Sequence, residues 1–358
     1  MARLTRAETQ ERNRAKVLEA ARDEFAERGF RDAKIDVIAE RAELTRGAVY
    51  SNFPGKRALY FAVLAAAAER ESAEPRSQDP GLSTAEALGA LAGAWVARLP
   101  LATDPGARLG ADLMPEILAD ELTRRPYAQL MRFEAIVLGL ALERLASRDG
   151  RLVRVAEAAL TTLHGASRLA AVAPGFGEPF NVVRVCESLP GLGLPDEWPS
   201  EPPIVAQARS VDEQWTPLSA VDSLRNSAAA LDGDGVVAVL GLHRLSAAEE
   251  AIRAAPAGDA VTIAVVTGEP AELSPLTQLA FAELRGHLKQ AFPASTWPRA
   301  QVVRDDAGVL AAAAGVTAVS DATETAVRVR GGRIVLRAEG FGACHAVATG
   351  AVRPGWPR

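Results

Sequence analysis

Residues 35–56, IDVIAERAELTRGAVYSNFPGK, limit the fold more than any other stretch, because they pattern as a short helix, a tight turn and a second short helix. Ile35, Ile38, Ala39 and Ala42 put apolar side chains on one face of the first segment. Leu44 plugs the turn. Thr45 is a good N-cap for a helix running to about Asn52, and Pro54 ends it. A helix this short is not stable alone, and Val49 and Phe53, four apart, give it a single face to pack by. Its other face carries Thr45, Arg46, Gly47, Tyr50, Ser51 and Asn52. Donors and acceptors with a small residue among them suit close approach to a DNA groove. An ordinary helical hairpin with a solvated face fits the same spacing, so the flanks have to decide.

Upstream, residues 14–30 form an amphipathic helix with a stripe of Val17, Leu18, Ala21 and Phe25, and Gly29 is its C′ residue. Downstream, Gly55-Lys-Arg-Ala-Leu59 opens a further helix after the Phe-Pro stop. Together, VLEAARDEFAERGF, IDVIAERAEL, RGAVYSNF and GKRAL resemble the DNA-binding domain of the tetracycline-repressor (TetR) family of bacterial regulators. The resemblance is specific over residues 12–62, becomes a general helical similarity over 63–195 and covers nothing beyond. It implies double-stranded DNA and a small-molecule effector as partners, a homodimer, and a helix 45–52 in the major groove. Arg46, Ser51 and Asn52 are then the candidates for base edges, with Thr45 and Gly47 permitting close approach. Tyr50, Lys34 and Lys56 are the candidates for phosphates. Three positions depart from the family pattern: Ala33 replaces a capping Thr or Ser, Glu43 a turn Gly, and Arg57 an acidic residue.

Charge agrees with a DNA-binding head. The chain of 358 residues carries a net charge of −5, but residues 1–57 hold 13 Lys or Arg against 10 Asp or Glu, so the head is +3 and the remainder −8. A mildly basic head on an acidic body concentrates nucleic-acid affinity in the head and favours two heads acting together. No apolar run approaches the roughly 20 residues of a membrane span, and the polar N-terminus reads as no signal peptide, so the expected compartment is the cytoplasm. Cys186 and Cys344 are isolated and the four His are scattered, which predicts neither a metal site nor a cofactor.

The fold expected is multidomain: an all-α first part followed by an α/β domain. A helix-turn-helix domain (1–57) leads into a helical ligand-binding and dimerisation domain (58–190), a proline-bearing linker (191–216) and an α/β domain (217–350). Polar or Pro-bearing loops are expected at 69–83 and around Pro100–Pro105, then a short helix over 106–122 interrupted by Pro115. The long helices 127–147 and 152–172 carry Gly139, Ala141, Ala158, Ala159, Gly165 and Ala166, which allow close approach. The resemblance implies that they form a four-helix bundle with their two-fold mates. It also implies an effector pocket within the helices, for which Trp95, Met114, Tyr127, Met131, Phe133 and His164 are lining candidates, with Arg98, Arg132 or Arg168 as anchors.

Beyond the linker, strands are expected at 236–242, 261–268, 301–303, 325–330 and 333–340, with helices at 217–231, 246–255, 275–291 and 307–314. Gly331-Gly332 reads as a hairpin turn. This order resembles a thioredoxin-like layer. The place of a redox thiol reads GLHRLSAAEEAI, without Cys, and no hydrolase, P-loop or zinc-protease motif occurs. No catalytic residue is therefore expected. The competing reading is a thioredoxin-like redox sensor or enzyme with an accessory helical domain, and Cys344, beside His345, is the candidate for an oxidation sensor. On this organisation residues 1–195 fold, dimerise and bind DNA without the C-terminal domain.

Overall fold

The computed structural model describes residues 5–73, 82–99, 109–146, 150–198 and 205–350. The first part is helical: α1 (Arg6–Asp32), α2 (Ile35–Arg41), α3 (Arg46–Asn52), α4 (Lys56–Ala73), α5 (Thr84–Val96), α6 (Leu113–Leu118), α7 (Glu121–Leu145), α8 (Val153–Val172) and α9 (Pro179–Ser188). A capping box of Thr5 and Glu8 starts α1, and Gly29 breaks it with φ of 75°, the left-handed turn its sequence position called for. Pro115 does not interrupt a helix. It sits in the first turn of α6, where no N–H is needed, and Asp120 caps a separate α7 by accepting from Leu122 N at 3.0 Å. Residues 74–81 and 100–108, where loops and a helix start were expected, lie outside the described residues.

The second part alternates: β1 (Arg209–Gln214), β2 (Val221–Asp222), β3 (Ser227–Ala228), β4 (Gly235–Gly241), α10 (Ala248–Ala254), β5 (Ala260–Val266), α11 (Pro270–Ala291), β6 (Gln301–Arg304), α12 (Val309–Ala313), β7 (Glu324–Arg330), β8 (Arg333–Glu339) and α13 (Ala343–Thr349). They form one mixed sheet in the order β1-β8-β7-β4-β5-β6-β2-β3. Strands β4, β5 and β6 run parallel, with Ala238 opposite Ile263 and Ile263 opposite Val302, and β7–β8 is an antiparallel hairpin against β4.

Two expectations fail here. The end of the supposed linker is strand β1, paired with β8 and pinned by Arg337, which donates to both oxygens of Glu213 at 2.9 and 2.6 Å. Its side chains are polar and mostly exposed, so no apolar alternation announced it. Residues 217–231 hold no helix. Asp222, 1% exposed, accepts from Leu224 N and Val302 N at 3.1 Å and pairs with Arg225 at 2.8 Å. That side chain competes with helical bonds and fixes a small β2–β3 hairpin, whose turn residue Asn226 adopts φ of 52°.

The two parts share one core. Val236, Ala238, Leu240, Ile263 and Val265 on one face of the sheet belong to the same cluster as the helices, while Val237, Val239, Ala264 and Val266 face the other way, toward α12. Helix α11 lies along α4 in the same direction. Gly55 stands beside Glu272, Gln278 Nε2 donates to Glu69 at 2.8 Å, and Arg285 reaches Ser72 Oγ at 3.1 Å. The same helix covers α7, where Phe281 packs on Phe133 at 5.8 Å between ring centroids and His287 Nδ1 lies 2.6 Å from Glu134 Oε1. On its far side α7 meets α8 so closely that a Cβ at Gly139 would lie 2.7 Å from Val153 Cα.

Every residue of α7 from Phe133 to Leu142 is therefore buried within one chain. The expected bundle of 127–147 and 152–172 with a second copy cannot use that length of α7, because the C-terminal layer already covers it. What stays open is the end of α8, the turn after it, and α9: Leu169, Val172, Phe176, Phe180 and Val185 are all exposed. Among the described residues no helix is long and apolar enough to cross a membrane.

Packing this continuous argues against a separable C-terminal domain. Phe281→Ala should cost about 3–5 kcal/mol and lower the melting temperature of both parts together. Scanning calorimetry should show one endotherm displaced downward; two endotherms, with only one moved, would mean independent domains.

Candidate nucleic-acid interface

The head is built around Phe25, Ile38, Val49 and Phe53, all at most 2% exposed. An aromatic group of Phe25, Phe30 and Tyr60 joins α1 to α4, with Phe25 and Phe30 each 5.2 Å from Tyr60. Glu24, fully buried, fixes the angle of α2. Its carboxylate accepts from Lys34 N at 3.3 Å and pairs with Arg41 at 3.3 Å and Arg28 at 3.4 Å. In the turn, Glu43 takes φ of 56°, so the non-glycine residue accepts the left-handed conformation, and its carboxylate is held by Lys16 at 2.9 Å. Thr45 caps α3 by accepting from Ala48 N at 3.2 Å.

Thr45, Arg46, Gly47, Tyr50 and Ser51 are exposed on one side of the head, with Asn52 partly buried beside them and Lys34 exposed at the start of α2. Among the described residues nothing demands glycine at position 47: a Cβ there would meet only Thr45 Oγ1 at 3.9 Å. Arg46 rests on Asp36 at 3.2 Å and over the Tyr50 ring at 5.6 Å, both exposed and exchangeable contacts. Ser51 Oγ and Asn52 Nδ2 donate to Ala48 O at 2.9 and 2.8 Å, and Asn52 Nδ2 also donates to Ser51 Oγ at 3.5 Å. Lys56 is less free than its sequence position implied: Nζ donates to Arg31 O at 3.0 Å and sits over Phe30 at 4.7 Å. It closes the end of α1 and keeps two donors. Arg57 turns inward to Asp120 at 2.7 Å, so the departure at that position adds a fastening and not a surface charge.

Residues that the sequence did not single out tie the head to the body. Asp112 accepts from Phe30 N at 2.7 Å, and Tyr60 Oη donates to Leu109 O. Arg14 donates to Asn52 O at 3.3 Å and lies 4.4 Å over the Phe53 ring, linking α1 to the end of α3. Only an unpaired polar residue in an otherwise apolar segment could have flagged Asp112, and nothing in the sequence marks its partner.

The proposed effector-pocket residues divide. Trp95 lies between His164 and His287, at 4.8 and 5.1 Å between ring centroids, and its Nε1 donates to Ser167 at 2.7 Å. Tyr127 and Met131 pack against the common core, Met114 is half-buried on α6, and Arg168 is exposed. Arg98 pairs with Glu71 at 3.2 Å and Arg132 with Glu157. Burial pulls His164 below its usual range, against the charge of Glu134. His287, which packs on Trp95, comes from α11 of the C-terminal layer.

The thiols are both buried. Burial, with the charges of Glu324 and Glu250, pushes Cys344 well above the ordinary thiol range, and burial pushes Cys186 up to about 11. A thiolate is the reactive species, so neither Cys has the environment an oxidant sensor needs. Among the described residues no group of three or more His, Cys, Asp or Glu is arranged to hold a metal ion. Beside Cys344, Arg244 pairs with Glu324, and Glu250 Oε2 and Glu324 Oε1 are buried without a hydrogen-bond partner among the described residues. Burial first, then the charge of Glu324, raises Glu250 from 4.5 to about 7.

A raised carboxyl favours the folded state while it is protonated, and that stability is lost as pH rises from about 4.5 through about 7. Glu250→Gln should therefore narrow the difference between the urea midpoints measured near the two ends of that window. An unchanged difference would place the titration elsewhere.

Comparison with known proteins bears on the head. Residues 17–63 match the family model of the bacterial regulatory proteins, tetR family. Over 65 residues, 18% of this chain, the sequence is 48% identical to the HTH-type transcriptional regulator SrpR of Pseudomonas putida, covering 30% of that protein. The identity is again 48% over 65 residues to TtgW, an uncharacterized HTH-type transcriptional regulator of the same species, covering 48% of it. The chain thus spans less than half the length of these curated relatives. A TetR-like transcriptional regulator from a Rhodococcus species aligns with 54% of this chain and 98% of its own, at 23% identity and a TM-score of 0.29. A structure solved for the control of antibiotic production by bacterial hormones aligns with 49% and 94%, at 24% identity and a TM-score of 0.30. Likenesses that loose decide nothing about the rest of the chain. Over residues 17–63, then, the head is similar to the helix-turn-helix domain of tetR-family transcriptional regulators.

Proposed function

We propose that this protein is a homodimeric, ligand-responsive transcriptional repressor that reads a near-palindromic operator through α3 and is released by a small-molecule effector. The observation that carries the reading is the exposed face of α3 on a head matching the tetR family over residues 17–63. Arg46, Ser51 and Asn52 read base edges, Thr45 and Gly47 let the groove come close, and Tyr50, Lys34 and Lys56 hold phosphates. The C-terminal layer is read as a thioredoxin-like scaffold without redox chemistry. The order β4-α10-β5, with a β7–β8 hairpin against β4 and α13 after it, supports that reading. Trp95, Tyr127, Met131 and His164 remain the proposed effector contacts in the helical body, with Met114 and Arg168 at its margin.

Arg46→Ala should relax base preference at one operator position by about 1–3 kcal/mol, while Lys56→Ala should weaken binding evenly across sequences. Gel-shift titrations against operator variants, at two salt concentrations, separate the two. Equal loss on every sequence from both changes contradicts the assignment, and no sequence-selective retention at low salt removes the function itself.

The dimer is assigned to the end of α8 and to α9, where Phe176 and Phe180 are 74% and 77% exposed. Exposed aromatic side chains beside Leu169 and Val172 form the kind of patch that marks an association surface. Phe180→Asp should convert the dimer to a folded monomer in light-scattering chromatography and lower operator affinity steeply. A dimer of unchanged strength would place the two-fold elsewhere.

A further inference from the structure

Helix α3 has only seven residues, too few to stand as a helix alone, so its direction is set by what holds its ends. Its start is fixed by the Thr45 cap, and its inner face by Val49 and Phe53. The far end is held from another element. Arg14, on α1, sends Nη1 to the carbonyl of Asn52, the last residue of α3, at 3.3 Å, and lays its guanidinium 4.4 Å over the ring of Phe53. A cation at a helix C-terminus meets the negative end of the dipole and a carbonyl that has no partner inside the helix. The aromatic face gives it a second favourable surface.

The two contacts act on consecutive residues, at the corner where α3 gives way to extended backbone: Phe53 has φ of −142° and ψ of 120°. Arg14 is partly buried there. Burial is the main reason that its guanidinium lies below the ordinary range, with the charge of Glu11 opposing this and that of Arg304 adding to it. The side chains at this end of α3 take their aim from the same turn, since Ser51 Oγ and Asn52 Nδ2 both bond Ala48 O. Arg46, at the other end, rests instead on Asp36 and the Tyr50 ring.

We propose that Arg14 is a positioning residue for DNA recognition: it fixes the last turn of α3, and through that turn the aim of Ser51 and Asn52. It thereby governs base preference at the operator positions those two side chains read, without touching a base. This role rests on the reading of α3 as the helix that enters the groove. The hold on the turn belongs to the free protein and is measured without DNA.

Two measurements on the full chain test it. The Phe53 amide donates to Val49 O at 3.0 Å, and the Ala42 amide, at the end of α2, to Ile38 O at 3.0 Å. In amide exchange of the free protein, Arg14→Ala should speed the Phe53 amide about tenfold and leave that of Ala42 in place. In gel-shift titrations against single-position operator variants, the same substitution should cut discrimination about tenfold where Asn52→Ala also cuts it. Discrimination at the position governed by Arg46 should stay. Should Arg14→Ala unfold the head, Arg14→Lys, which keeps a cation and loses the planar fork, carries both comparisons with a smaller change. The proposal is overturned if the Phe53 amide does not move, or if the Ala42 amide speeds up equally. It is also overturned if every sequence loses affinity alike with a shallower salt dependence, which marks a direct phosphate contact. Absence of sequence-selective retention in the unsubstituted protein sinks the groove reading instead, and the exchange measurement still decides whether Arg14 holds the turn.

Discussion

Helix α11 is buried on more than one face, from Leu273 through Ala291, because it belongs to two neighbours at once. It contributes to the core on one side of the sheet and presents Phe281 and His287 to α7 and α5, while Gln278, Arg285 and Lys289 reach α4. A helix buried on several sides is held by its neighbours and not by its own propensity, so α11 and α7 each need the other part of the chain. Reciprocal ion pairs set the register of that contact. Arg151 of the helical part holds Glu249 with two bonds of 2.6 and 2.7 Å, and Arg253 of the sheet layer holds Glu143 with bonds of 3.0 and 2.7 Å. Paired forks of this kind orient as well as attract, and Arg253, which also donates to Glu249 at 2.7 Å, joins the two pairs into one network.

The consequence for function is mechanical. Helix α4 leaves the helix-turn-helix head, and α11 runs along it, so the C-terminal layer is fastened to the element that carries the head. Asp112, Tyr60 and Arg57 fasten the head to the helical body from the other side. Both seams end on α4 or on the close of α1, next to the head. Fastenings of that kind give any bound ligand something to bias, provided it binds the two arrangements with different affinity.

Much of the head was legible from the chain alone because its physics is local. Thr45 as a cap, Gly29 as a left-handed stop, Val49 and Phe53 as the inward face of α3, and the alternating core strands all follow from short-range pattern. The misses share one cause. Strand β1 has polar, exposed side chains and exists because β8 offers a partner. Asp222 overrides a helical pattern through a bond to Val302, distant in sequence. The burial of α7 reads as a dimer surface until the covering helix, more than a hundred residues further on, is seen. Arg14 looks like an ordinary surface arginine until the fold brings it to the end of α3. Contacts between residues far apart in the chain leave no periodicity to read.

Packing across one shared core makes the helical part and the sheet layer a single cooperative body bearing the head. Native-state amide exchange of the full chain at increasing, sub-denaturing urea tests it most directly, since it reports the opening free energy of each element separately. The slowest amides of α7, α11, β4 and β5 should converge on a single opening free energy with the same urea dependence. If the sheet strands opened at a free energy of their own while α7 remained protected, or the reverse, the two parts would be independent domains and the account would be wrong.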